Sequence, residues 1–571
     1  MNDPSVQRFL HDRLDRIRHG RSELDNHVID ELKAGRLSRR DFIVRASVIG
    51  IAAPLAGQLL VACGGGGNNS DGTKTTGGSS GGAVKSNATL RAAVLAPTAR
   101  IDPVLVNNPG GLVTIGQVGE YLAYAETDAT LRPVLAEKWS PNATGDVWTF
   151  TIRKGVKFHD GTTMTAKDVV ATFERLADPE VGSNALSALK GVLSKGGTES
   201  PDDTTVVFTL DAPNVNFPYL VSSQNYNSII LPAKADTAKF DEAMIATGPF
   251  MFKKYSEGVS ADFVANPDYW DSSRMPKVAG VSIRYYEDLQ PQILALQGKD
   301  VDAISQISYT GGRALFEDSG INVINVPSAF HREISMRVDK DPFTDKRVRQ
   351  AFALLLDRPA EIKSLIGGKA VLGNDSPFAP LYPVTDKTVP QRKKDVAQAK
   401  QLLADAGQEG ASFTITAIRS AEIPDLAVVL QNAAKEGGMD VKLEVLDSDT
   451  YYGEATFGNS PWLDSTVSIC DYGHRSVPDV LLNAPLRSDG VWNAAHFKDP
   501  AYDKLVDQYS AELDLEARKG IAKKLQEKLL DETPIIIPYF LDWLAATLPN
   551  VEGVSPNPTG QLDLSQASIT A

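Results

Sequence analysis

The sequence predicts an α/β protein built of more than one lobe. Short runs with apolar residues at every second position alternate along it with longer runs whose apolar residues recur every three or four. Its 571 residues, 42% hydrophobic and 23% charged, are enough chain to bury a sizeable core in two or more lobes. With two cysteines, Cys63 and Cys470, neither a disulfide framework nor a cysteine-based zinc site arises within one lobe. A formal net charge of −14 argues against nucleic acid as a partner.

Residues 1–36 intersperse charges with Phe9, Leu10, Leu14, Ile17, Val28, Ile29 and Leu32, and read as a helical cytosolic lead. From Ile43 to Ala62 the chain is small and apolar, but Arg45 intrudes, and Gly50, Pro54 and Gly57 weaken it as a permanent membrane helix. Ser38-Arg39-Arg40-Asp41-Phe42-Ile43 resembles a twin-arginine export signal. Leu60-Val61-Ala62-Cys63 resembles a bacterial lipobox, in which the cysteine is acylated and the segment before it is removed. Residues 1–62 are thus expected to be a lipoprotein signal with its lead, Arg39 and Arg40 the export pair, and Cys63 the lipidated residue; an uncleaved anchor is the alternative. Residues 63–88 are rich in glycine and serine and almost free of apolar side chains. They read as a tether that spans roughly 25 to 30 Å as a flexible coil.

Order is expected from Thr89, where Thr89 to Val94 alternates like a strand. Trp148, Phe150 and Ile152 alternate with Thr149, Thr151 and Arg153 behind the turn Asn142-Ala143-Thr144-Gly145, which predicts a half-buried strand. Val156 and Phe158 predict a second short strand closed by His159-Asp160-Gly161. Thr165 stands as an N-cap with Asp168 three residues on, ahead of the stripe Val169, Val170, Phe173 and Leu176. Further along, strands are predicted at 281–285, 301–304 and 441–445. Helices are predicted at 290–296, 347–356, 396–406 and 426–435, the last two closed by Gly407 and Gly437.

The Leu131 to Leu176 stretch is one of several motifs that occur in order. The others are Thr247-Gly248-Pro249-Phe250 with Asn266-Pro267-Asp268-Tyr269-Trp270, Asp341-Pro342-Phe343-Thr344-Asp345-Lys346-Arg347-Val348-Arg349-Gln350-Ala351-Phe352, and Ala397, Lys400, Leu402, Leu403, Ala406 and Gly407. Together they resemble the extracytoplasmic solute-binding proteins of family 5, the peptide and nickel ABC-importer lipoproteins of dipeptide- and oligopeptide-binding type. The resemblance runs from about residue 89 to about residue 545. It implies a two-lobed periplasmic-binding-protein fold of class II, cluster C type, with an extra domain inserted in lobe one. Lobe one would comprise 89–124, 248–328 and 536–571, the extra domain 125–247, and lobe two 329–535. The hinge would lie near Asn325 to Ser328 and Ile535 to Pro538, and closure would trap ligand between the lobes.

The resemblance also places a ligand carboxylate at Asp471, within Ser468-Ile469-Cys470-Asp471-Tyr472-Gly473-His474-Arg475-Ser476, where peptide-binding members pair an aspartate with the ligand's α-ammonium. A charge-assisted bond of that kind, shielded from water, is worth roughly 1.5 to 3 kcal/mol. An aspartate capping a turn at a strand end is the alternative. Tyr472 completes the Asp-Tyr pair, whereas Gly473-His474-Arg475-Ser476 replaces the family's commoner acidic-proline continuation. Arg475 offers a guanidinium for a carboxylate or phosphate, or else a surface ion pair. Tyr451, Tyr452, Trp462 and Trp492 are candidate cleft aromatics or core. Asn225 and Tyr226, and Asn108 in the polar loop Asn107 to Gly111, are further ligand candidates.

His159-Asp160 sits on a tight turn, and the histidines beyond the leader, His159, His331, His474 and His496, form no HExxH or other close pairing, so no metal site and no cofactor is expected. No GxSxG or phosphate loop occurs. The expectation is a monomeric, non-enzymatic binding lipoprotein, tethered outside the cytoplasmic membrane, that captures a small peptide or related zwitterionic or anionic solute and delivers it to the membrane subunits of an ABC permease. A ligand-presenting sensor or chaperone-like module, or a binder of a chelated metal such as nickel, is the alternative.

Overall fold

The structure, a computed structural model, describes residues 86–570; Arg39, Arg40, Cys63 and nearly all of the tether lie outside the described residues. The expected first strand forms at Thr89–Leu95. It runs parallel to Gly280–Tyr286 on one side and to Ala303–Ile304 on the other, with helix Leu289–Gln297 crossing between those two strands. From this βαβ unit the sheet grows one way through the antiparallel strands Ser260–Ala265 and Phe250–Ser256. The other way it passes through Tyr539–Thr547, Asn322–Met336 and Val467–Tyr472 to a second unit, Ser412–Ile418 parallel to Asp440–Leu446 with helix Ile423–Glu436 between. All belong to one twelve-stranded mixed sheet.

Each end of that sheet has its own core. Leu90, Val94, Ile283, Leu296 and Leu544 pack in one, and Phe352, Phe413, Ile415, Leu430 and Ile469 in the other. A separate four-stranded antiparallel sheet, in the order Ala136–Pro141, Val147–Ile152, Thr205–Thr209, Thr198–Asp202, carries a third core. There Phe150 and Phe173 each meet the ring of Phe208 edge-on, with centroids 5.4 and 5.2 Å apart. The expected helix forms at Ala166–Ala177 behind the Thr165 capping box, in which the Asp168 carboxylate accepts the Thr165 backbone N–H at 2.7 Å. A fourth cluster is built by helices Pro500–Ala511 and Leu515–Glu532 through Tyr502, Tyr509, Leu525 and Leu529.

Two local expectations are corrected. Residues 156–158 form no strand but a single bridge, Lys157 to Thr163, because the chain turns at once through Gly161, whose φ is +85°. The run Asn107 to Gly111 is no open loop: Asn108 caps the helix Pro109–Val118, with Pro109 preset for the first turn. A Cβ on Gly110 would lie 2.2 Å from the Leu95 carbonyl oxygen, so only glycine lets this helix start against the end of the first strand.

The Thr247-Gly248-Pro249-Phe250 and Asn266 to Trp270 motifs meet at Glu120. Its buried carboxylate accepts hydrogen bonds from the Thr247 hydroxyl at 2.8 Å, the Tyr269 hydroxyl at 2.6 Å and the Trp270 indole at 2.8 Å. Burial pushes the Glu120 carboxyl up to about 7. Glu120→Ala strands three buried donors and is expected to lower the free energy of unfolding by about 3 to 5 kcal/mol, read from urea denaturation followed by circular dichroism.

Candidate ligand site

The strand Val467–Tyr472 sends successive side chains to opposite faces, and its antiparallel register with Asn322–Met336 sets Asp471 opposite Arg332 and Tyr472 opposite His331. On the Asp471 face, Tyr452 at the end of helix Ser448–Tyr452 donates its hydroxyl proton to Asp471 Oδ1 at 2.6 Å. Arg332 donates from Nε and Nη2 to the two carboxylate oxygens of Glu422 at 2.8 and 3.2 Å, with both side chains almost fully buried. The Phe330 ring lies 4.7 Å from the Arg332 guanidinium carbon. Arg332 Nη1 has no hydrogen-bond partner and stands 3.9 Å from Asp471 Oδ2. The Asp471 side chain is 32% exposed, and its Oδ2 accepts no hydrogen bond among the described residues. It is an open anionic acceptor whose second oxygen is fixed in place.

The opposite face is closed. His331, Glu333, Cys470 and Tyr472 are all buried there, with the Tyr472 ring tilted against His331 at 5.7 Å and against Trp492 at 6.1 Å. His331 donates from Nδ1 to the Ala329 carbonyl at 2.8 Å, which leaves its Nε2 bare and 4.0 Å from Glu333 Oε2. Glu333 Oε1 accepts the Ser335 hydroxyl at 3.2 Å, and no other hydrogen bond reaches the carboxyl. Burial pushes Glu333 up to about 8 and His331 down to about 4. At neutral pH the glutamic acid therefore holds a proton and the histidine does not.

The remaining candidates fall into two groups. Tyr451 and Trp462 are buried in the core beneath the strand, Tyr451 donating its hydroxyl to the Ile469 carbonyl at 2.8 Å. Asn108 spends its side-chain oxygen on the Gly111 N–H at 3.0 Å, as a helix cap must. By contrast, Asn225, Tyr226, His474 and Arg475, far apart in sequence, line one cavity of about 150 Å³. Asn225 turns its amide to the Leu220 carbonyl at 3.0 Å. His474 Nδ1 accepts the Ala329 N–H at 3.0 Å, so its proton sits on Nε2, and burial together with the Arg475 charge pushes its pKa down to about 3. Among the described residues no three His, Cys, Asp or Glu side chains cluster to hold a metal ion.

Sequence reading missed Arg332, Glu422 and Glu333. The available signal was His331-Arg332-Glu333, consecutive ionisable residues in a strand that otherwise continues apolar into Ile334 and Met336.

The model of the bacterial extracellular solute-binding proteins, family 5 (middle), matches residues 130–468, more than half of the chain. The chain belongs to this family. The dipeptide-binding protein DppE of Bacillus subtilis is 24% identical over 82% of this chain and 90% of its own length. Among solved structures, the unliganded open form of the murein tripeptide-binding protein MppA superposes with a TM-score of 0.74 at 22% identity, over 86% of this chain and 99% of that one. AgaA from an Agrobacterium tumefaciens strain, in complex with agropinic acid, superposes with a TM-score of 0.66 at 24% identity, over 85% and 99%. The family-5 fold, mixed α/β and two-lobed, is thus the one the motifs implied.

In this family-5 chain the buried Glu333 carries a pH signature. Its folded pKa, about 8, lies above the ordinary glutamate value of 4.5, so the folded state binds the extra proton between those values. The stability it contributes is full below pH 4.5 and is lost as pH rises toward 8. Glu333→Gln removes that loss: the melting temperature of the variant is expected to fall less than that of the parent between pH 5 and pH 8, as read by differential scanning calorimetry.

Proposed function

We propose that this protein is the solute-capturing component of an ABC importer and that it binds a small peptide or related amine-bearing zwitterion without transforming it. The observation that carries this reading is Asp471: one carboxylate oxygen is held by Tyr452 at 2.6 Å and the other is open. An ammonium group is the natural partner for such an oxygen, since it brings charge and several donors to one fixed acceptor. The dipeptide-binding protein DppE, to which the chain is similar, agrees with that chemistry. The ligand lies between lobe one, at 89–124, 248–328 and 536–571, and lobe two, at 329–535, with 125–247 as the inserted domain. Trp492 and Tyr472 stiffen the wall behind Asp471, and the binding energy shifts the open-to-closed balance.

The protein acts as a monomer outside the cytoplasmic membrane, exported through Arg39 and Arg40 and held there by a lipid on Cys63. Among the described residues no helix is long and apolar enough to cross a membrane.

Two experiments test this reading. Isothermal titration of the purified folded body with unmodified short peptides is expected to give binding that Asp471→Asn weakens about 10- to 100-fold, the worth of a shielded charge-assisted bond. Unchanged affinity would remove Asp471 from the site. In cells, Cys63→Ser is expected to release the protein from the membrane fraction, and exchanging Arg39 and Arg40 for lysine to leave it in the cytoplasm, both read by fractionation and immunoblot.

A further inference from the structure

Arg475 is a cation without an anion. Nη1 of its guanidinium donates to the His474 carbonyl at 2.8 Å, and among the described residues Nε and Nη2 make no hydrogen bond. The side chain is partly buried, and burial lowers its pKa, with only the phenols of Tyr226 and Tyr382 pulling the other way. Asp479, the nearest acid along the loop, turns away and accepts from the Asn216 amide at 2.7 Å. A half-buried guanidinium with no carboxylate beside it is open to a charge supplied from outside the chain.

The surroundings are built to receive that charge. Loop 473–476 is pinned from three sides: Ala329 N–H to His474 Nδ1 at 3.0 Å, Tyr382 hydroxyl to the Arg475 carbonyl at 2.6 Å, and Ser476 N–H to Gln224 Oε1 at 2.7 Å. The pin at Nδ1 puts the His474 proton on Nε2, a neutral donor, in the wall of the cavity of about 150 Å³. Tyr226 lines the same cavity with a hydroxyl free of hydrogen bonds within the protein, and the Arg475 charge acts on that phenol. Pro558 and Thr559 close the cavity from the C-terminal part of the chain. A cavity of this volume admits a group about the size of a benzene ring.

The geometry points to this cavity as an anion subsite, in which the Arg475 guanidinium fork, His474 Nε2–H and the Tyr226 hydroxyl grip a carboxylate or phosphate of the bound solute. The assignment rests on the solute-binding reading above and narrows its substrate class to solutes that carry an oxyanion. Arginine suits the task because its planar donors match the two oxygens of such a group, whereas lysine offers a point charge.

The test separates the subsite from the peptide reading. Melting temperatures of the parent, Arg475→Gln and Tyr226→Phe are measured at constant ionic strength in chloride, succinate and inorganic phosphate. The parent is expected to gain stability in succinate or phosphate over chloride, Tyr226→Phe to need at least threefold more anion for the same gain, and Arg475→Gln to show none. In chloride alone Arg475→Gln is expected to melt higher than the parent, an outcome that a purely structural arginine does not give. A gain from succinate alone identifies a carboxylate site, and one from phosphate alone a phosphate site. Equal behaviour of parent and Arg475→Gln across the anions overturns the subsite, as does a Tyr226→Phe response identical to the parent's should Arg475→Gln fail to fold. In parallel, a tripeptide and its C-terminal amide are titrated: tenfold weaker binding of the amide by the parent, and equal binding of the two by Arg475→Gln, assigns the anion to the ligand's terminus. If no peptide binds while the anion response persists, the peptide reading fails and the subsite stands.

Discussion

The pairing of strand Asn322–Met336 with strand Tyr539–Thr547 is the constraint on which the rest of the molecule depends. Leu544 of the second strand packs in one core and Leu541 in the other, so a single ladder of backbone hydrogen bonds joins both ends of the sheet. The ladder is interrupted between Val326 and Phe330, where the register shifts. Ser328 repairs the gap: its hydroxyl donates to the Leu541 carbonyl at 2.6 Å and accepts the Phe330 N–H at 3.0 Å. The Ala329 N–H released by the same irregularity goes to His474. One local defect therefore both breaks the regular strand between the two cores and fixes the loop that carries Arg475. Anything that alters the defect reaches the cavity without passing through the ligand.

Much of the scaffold was legible because its signals are local. The Thr165 capping box, the alternation about Phe150 and the glycines Gly407 and Gly437 after helices Val396–Asp405 and Ile423–Glu436 depend on neighbours within a few residues, and all appear where the sequence places them. The run at Asn108 was misread because asparagine, proline and two glycines suit an open loop as well as a helix start; only the close approach of Gly110 to the first strand decides between them. The Glu120 cluster was half legible. Its donors sit in motifs that identify the family, but nothing near Glu120 in sequence announces that Thr247, Tyr269 and Trp270 converge on it.

The site follows the same rule. Asp471 and Tyr472 are adjacent in sequence and read as a pair, yet strand geometry sends them to opposite faces. Asp471 joins Tyr452 and Arg332, while Tyr472 joins His331 and Trp492 in a closed layer. The pairing of Arg332 with Glu422 was not legible because it bridges two elements that meet only in the folded chain, and because a buried ion pair leaves no periodic trace. The Asn225, Tyr226, His474 and Arg475 convergence was not predictable as a unit, although each residue was separately a candidate.

Asp471 and Arg475 are treated oppositely by the fold. Asp471 has partners of its own: Tyr452 occupies one oxygen and Arg332 stands within 4 Å of the other. Arg475 has no carboxylate partner among the described residues, and its side chain makes one hydrogen bond, to the His474 carbonyl. Discrimination follows from that asymmetry. Under the proposed subsite, a solute that lacks the amine forgoes one contact at Asp471, whereas a solute that lacks the anion leaves the half-buried Arg475 guanidinium without a counter-charge. Under that proposal the anionic end of the ligand, more than its amine, sets the selectivity, and Gly473-His474-Arg475-Ser476 is the stretch that carries it.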